Sequence, residues 1–236
     1  MGPVSTCPDL AGLASTRVDI LRVADANNFD RRDILLVRHA EKAPGRFDAG
    51  LSELGVRQAT GLAARVRLWK PQALFTSPLR RARETASFVA QSCSLGAIER
   101  GDLTERKVNP APGTGTPGFK SEWAKVEADR SYSAYGGESS RQAAARMLKA
   151  VNEISQTTNA TQIVVITHGG IIRDFALSIG ESESDRVGAS AVPADLSSNS
   201  IGYCSLTLAS VSQSGVVSLH FVARPYVQVP FGEQET

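Results

Sequence analysis

Two short apolar runs constrain this chain more than anything else in it. Ile34-Leu35-Leu36-Val37 leads straight into Arg38-His39-Ala40-Glu41, and Ile163-Val164-Val165-Ile166-Thr167 leads into His168-Gly169-Gly170. Runs this short and this continuously apolar suit strands buried on both faces of a parallel sheet. The polar groups that follow then sit at the carboxyl ends of the strands, the edge where open α/β sheets bind ligands. Two such strands would bring two histidines to one edge.

The remaining periodicity fits that sheet. Ser52 is an N-cap for a helix through Leu68, with Val56, Ala59, Leu62, Ala63 and Val66 at helical spacing and Lys70-Pro71 as its stop. Ala73–Thr76 reads as a short buried strand. Ser77-Pro78 then offers an N-cap and a proline at the first helical position, opening a helix to about Gln91. Residues 97 to 106 form a weak strand. Asn109 to Gly118, rich in Pro, Gly and Thr, reads as one long loop of the kind that serves as a lid. Trp123, Tyr132 and Tyr135 follow it, and either line a pocket or pack locally. Gly136-Gly137-Glu138 precede a helix through Ser155, and a further helix runs from Gly170 to Ile179. Residues 181 to 198 are a polar surface excursion, and Ile201–Ala209 with Val216–Val222 form a terminal hairpin turning near Ser214-Gly215. The expected architecture is a three-layer α/β/α sandwich with a mostly parallel central sheet. Residues 1–32, with a helix over Leu10–Val23, are a lead-in packed on the domain; residues 33–236 are one domain.

Composition narrows the function. The 236 residues are 42% hydrophobic and 21% charged, as in ordinary globular chains, and the net charge of +2 gives no general attraction to nucleic acid. Cys7, Cys93 and Cys204 have neither metal spacing nor a disulfide framework, so they read as plain thiols in a reducing compartment. The sequence shows no membrane-spanning run and no secretory signal, which makes a cytoplasmic enzyme without membrane contact the expectation.

The chemistry follows from what converges at the sheet edge. Arg38 and His39 come from the first strand, Ser77 and Arg81 from the second, His168 from the third. Two arginines grip a phosphate through charge-assisted hydrogen bonds, and a helix opening at Gly169-Gly170 offers backbone N–H groups to an anion. A neutral imidazole is a nucleophile toward phosphorus, and a leaving alkoxide needs an acid. His39 is the candidate nucleophile, and Glu105 and Glu41 are the candidate proton donors. Singly, each of these residues has a plain structural reading; their convergence is the argument. His220, alternating with apolar residues in the last strand, reads as structural.

At these residues the chain resembles the histidine phosphatase superfamily, the phosphoglycerate-mutase-like family, over about residues 33 to 223. Arg38-His39-Ala40-Glu41 is similar to its Arg-His-Gly-Glu signature, with alanine for glycine. Leu51-Ser52-Glu53-Leu54-Gly55 with Gln58-Ala59, Thr76-Ser77-Pro78-Leu79-Arg80-Arg81-Ala82 with Glu84-Thr85-Ala86, Leu103-Thr104-Glu105-Arg106, Gly136-Gly137-Glu138-Ser139 with Arg146, Thr167-His168-Gly169-Gly170 with Arg173, and Asn199-Ser200 follow in the family's order. The resemblance implies a phosphohistidine on His39 and a phosphate pocket of Arg38, His39, Arg81, His168 and Gly169. It implies Glu105 as proton donor, with Glu41 as the alternative, and neither metal nor organic cofactor. The expected partners are a small phosphorylated substrate and inorganic phosphate as product; a homodimer through an edge strand is open. The short loop between Glu41 and Leu51 and the compact stretch between Arg81 and His168 favour a metal-independent phosphomonoesterase over a phosphomutase. A protein phosphatase or a non-catalytic phosphate binder are the other readings.

Overall fold

The computed structural model describes residues 31–45, 48–183, 192, 196–197 and 201–229. The lead-in helix over 10–23, most of the 181–198 excursion and Asn199-Ser200 lie outside the described residues.

β1 (Arg31–Arg38) is the strand read from the first apolar run, extended back through Arg31, Arg32 and Asp33. Its side chains alternate between two cores. Leu35 and Val37 join Leu62 and Val66 of α1 (Glu53–Leu68) and Val89 of α2 (Arg80–Cys93). Ile34 and Leu36 join Met147, Val151 and Ile154 of α4 (Ser140–Thr157) and Phe175 of α5 (Gly169–Glu183). β4 (Gln162–Thr167) alternates in the same way, Val164 and Ile166 on one side, Ile163 and Val165 on the other. This two-sided burial is why Ile34–Val37 and Ile163–Ile166 are apolar without a break. It also makes the three layers.

The sheet order is β3-β2-β4-β1-β5-β6. β2 (Ala73–Thr76) and β3 (Ala97–Glu99) complete the parallel part, while β5 (Ser205–Ser212) and β6 (Val217–Pro225) run antiparallel as the hairpin expected from the sequence. The register pairs Arg38 with Thr167 and Thr76 with Ile166, so the polar ends of β1, β2 and β4 lie level at one edge.

Four local expectations change. α2 begins at Arg80 behind a Leu79 cap with no side-chain bond, not at Ser77-Pro78. The Ser77 hydroxyl instead accepts from Leu79 N–H and faces His168. β3 is only three residues, all exposed, followed by a 3-10 turn over Gly101–Leu103. The loop after Asn109 ends early, because α3 (Gly115–Ala128) begins within the Gly/Pro/Thr-rich stretch. Pro117 is tolerated there because the first helical turn has no N–H partners to lose. α5 continues past Ile179 to Glu183. α3 adds a small cluster of its own, Val126 with Val108 and Ala134, flanked by Phe119, Trp123 and Tyr132.

Candidate active site

The first histidine sits where β1 ends. His39 is buried, with 4% of its surface exposed. Its Nδ1 lies 2.7 Å from the Ala40 carbonyl oxygen. A carbonyl only accepts, so in the neutral ring Nδ1 carries the hydrogen and Nε2 carries the lone pair. That lone pair meets the Nε–H of Arg81 at 3.0 Å. Burial, reinforced by the charges of Arg81, Arg38 and Lys42, pushes the His39 imidazole down to about 3, against a weaker upward pull from the Ala40 bond. His39 is therefore neutral across the physiological range.

His168 is fully buried, its ring 5.1 Å from that of His39 in an edge-on arrangement. Its Nε2 lies 2.8 Å from Ser77 Oγ, while Nδ1 is buried with no hydrogen-bond partner. Burial holds this ring well below its ordinary range, with His39 and the nearby arginines acting in the same direction.

Arg38 reaches back across the site. Its Nη1 donates to the Ile201 carbonyl, its guanidinium lies 4.2 Å from the centre of the Tyr203 ring, and its buried Nε has no partner. Burial works against the charge on Arg38 and on Arg81. Arg81 is placed by the first turn of α2. Thr85 Oγ1 donates to the Arg81 carbonyl and accepts from Ala40 N–H, tying the helix to the loop that carries His39.

The two candidate proton donors stand in different places. Glu41 caps a neighbour: its Oε1 accepts from Ser52 Oγ at the start of α1. Glu105 lies against the amino end of α5, where Gly170 N–H and Ile171 N–H donate to its carboxylate at 3.1 and 2.8 Å. The helix terminus expected to serve a phosphate thus gives two of its N–H groups to the protein's own carboxylate. Gly169, the next position, packs on Arg38, where a Cβ would lie 3.3 Å from Cδ and Nε. Part of Glu105 reaches the surface, but its carboxyl is packed round by protein. Burial raises its titration, against the opposing bonds from Arg106 and Gly170 N–H and the charge of Arg106. Arg146 fixes the segment from α4, with Nη1 donating to the carbonyls of Asp102 and Thr104 and the guanidinium paired to Glu138.

The structure thus gathers Arg38, His39, Arg81 and His168 and sets Glu105 beside the helix that follows His168. Tyr203 was not legible in the sequence. Its ring, 5.9 Å from His39, is brought in by the turn before β5, where Cys204 N–H donates to the Arg38 carbonyl oxygen. Among the described residues no cluster of side chains suits a metal ion. His220 is structural as expected, its Nε2 between Arg31 and Ser210 at the opposite end of the sheet.

A three-layer α/β fold that gathers two neutral histidines and two arginines at one edge of its central sheet is that of a phosphoryl-handling enzyme. The chain belongs to the histidine phosphatase superfamily (branch 1), whose family model matches residues 34–209. It is 33% identical over 172 residues to a metal-independent phosphoserine phosphatase of Arabidopsis thaliana, covering 64% of this chain and 70% of that one. It is 32% identical to phosphoglycerate mutase-like protein 4 of the same plant, covering 64% and 72%. A mycobacterial glucosyl-3-phosphoglycerate phosphatase solved with inorganic phosphate shares the fold, with a TM-score of 0.64 at 24% identity over 84% of this chain and all of that one. The family and the phosphatase among its relatives support a phosphatase enzyme. No helix among the described residues is long and apolar enough to cross a membrane.

Proposed function

We propose that the protein hydrolyses a small phosphorylated metabolite of the cytoplasm through a phosphohistidine on His39, without a metal. The observation that carries this is the fixed tautomer of His39: Nδ1–H held by the Ala40 carbonyl, Nε2 unprotonated and facing Arg81. A nucleophile is prepared, and a cation stands beside it.

In the proposed reaction the phosphoryl oxygens are held by Arg38, whose buried Nε is unpaired, by Arg81 and by His168. His39 Nε2 attacks phosphorus and the P–O ester bond breaks. The leaving alkoxide takes the proton of Glu105, whose dry surroundings favour the protonated form. Glu105, now a carboxylate, draws a proton from water. That water attacks phosphorus, the P–N bond breaks, and phosphate and neutral His39 are released. The engagement of Glu41 with Ser52 favours Glu105 as the donor. The relative named as a phosphoserine phosphatase makes O-phosphoserine the first substrate to test.

The test is phosphate release from O-phosphoserine and a panel of alkyl and sugar phosphates, with chelator present, for the protein and for His39→Ala. Steady release by the wild type alone, with acid-labile phosphate trapped on the protein after rapid quenching, is the expected result. Activity retained in a folded His39→Ala protein sinks the mechanism. Isomerised phosphate ester without free phosphate favours the mutase reading.

A further inference from the structure

Trp123 occupies the space next to the Glu105 carboxyl. A Cβ built on Gly170 would lie 2.7 Å from Glu105 Oε1 and 2.7 Å from Trp123 Cη2, so the carboxyl and the indole edge flank the space of a single methyl group. The indole belongs to α3, which packs outside the main cores, and something must hold it there. Arg106 does so. Its guanidinium lies 4.1 Å from the centre of the Trp123 ring, and its Nη1 donates to both carboxylate oxygens of Asp174 at 2.8 and 2.7 Å. The Arg106 and Asp174 side chains are both fully buried. Asp174 also accepts from Ser140 Oγ at 2.7 Å, which ties the pair to α4. Phe119 backs the indole at 5.7 Å.

We propose that Trp123 is a positioning residue for Glu105: the indole edge keeps water from the carboxyl, and the Arg106–Asp174 pair holds the indole in place. The inference rests on the reading of Glu105 as proton donor. The physical case comes from what else faces the carboxyl. Arg106 from its own segment, Arg38 from β1 and Arg81 from α2 favour the ionised form, as do the N–H groups of Arg106, Gly170 and Ile171. Arg146 of α4 adds a further cation, its Nη2 3.4 Å from the Glu105 carbonyl oxygen. Asp174 of α5 opposes ionisation, but two of its own contacts are cations, Arg106 and Arg173. With so many groups favouring the anion, exclusion of water is the dominant effect that raises the Glu105 carboxyl above its ordinary range. The aromatic group at that carboxyl is the indole of Trp123.

The test compares Trp123→Leu, which keeps the space apolar, with Trp123→Gln, which brings polarity and water. The readout is the carboxyl 13C signal of Glu105 through a pH titration, assigned by its loss in Glu105→Gln, and it needs no turnover. The midpoint falls by about half a pH unit or more in Trp123→Gln and stays close to wild type in Trp123→Leu. The alkaline limb of the rate profile with an alkyl phosphate moves with it. Trp123→Ala, which opens the space to water, also lowers the midpoint and is the variant to read where Gln does not fold. An unchanged midpoint in Gln or Ala overturns the inference, as does an equal fall in Leu and Gln. Full activity in Glu105→Gln overturns the donor reading instead, and the titration still judges what Trp123 does to the carboxyl.

Discussion

Replacing His39 by glutamine should flatten the acid side of the stability curve. In the folded protein this imidazole titrates at about 3 because it is buried among cations; in the unfolded chain it titrates near 6.5. Between those values the unfolded state binds the proton and the folded state does not. The contribution is therefore neutral above about pH 6.5, and stability is lost as pH falls from there toward 3. At pH 5 the linkage amounts to about 2 kcal/mol for this one group. His168 and His220 shift in the same direction and add to the wild-type slope, but they are common to both proteins. So are the carboxylates of Asp102 and Glu138, which sit below their usual range. The assay is urea unfolding of wild type and His39→Gln at pH 7.5 and pH 5.0 in phosphate-free buffer. The loss between the two pH values should be smaller in the variant by about 2 kcal/mol, whatever the substitution costs at pH 7.5. An equal loss in both proteins would mean that His39 is not held neutral, and the case for a ready nucleophile would go with it.

Three further outcomes follow from the same geometry. Arg81→Lys keeps a charge but not the Nε–H that meets His39 Nε2, and should lower kcat/KM by about 100-fold or more with little change in the melting temperature. Gly170→Ala places a methyl against Glu105 and Trp123, and should lower kcat on alkyl phosphates by about tenfold while phosphate still binds, as judged by calorimetry. Asp174→Asn leaves the buried Arg106 with only Glu127, 3.9 Å away, as counter-charge, and should cost about 3 kcal/mol in chemical denaturation.

The parts of this molecule that were legible in sequence are those whose physics is local. Ile34–Val37 and Ile163–Ile166 announce strands buried on both faces because every position must be apolar, and the histidines follow close behind in the chain. Ser52 does cap its helix, accepting from Gly55 N–H. Ser77 shows the limit. It has the local chemistry of a cap, but the approach of β4 brings His168 to its hydroxyl, and the helix starts at Arg80 instead. α3 was hidden because its first turn is spelled with glycine, threonine and proline, which read as loop until packing of Val126 and Trp123 decides otherwise. The Arg106–Asp174 pair and the placing of Tyr203 depend on contacts between distant parts of the chain, which no spacing reveals.

The sheet order has a consequence for synthesis. β4 is inserted between β1 and β2, yet it is made long after both. A growing chain that has released β1 and β2 holds two apolar strands that cannot pair with each other in the final register. Each waits with an open edge, the condition in which strands associate wrongly. A nascent chain that stops before Thr167 lacks His168 and most of the contacts that join β1 to β2, so the sheet closes only when its central strand has been made.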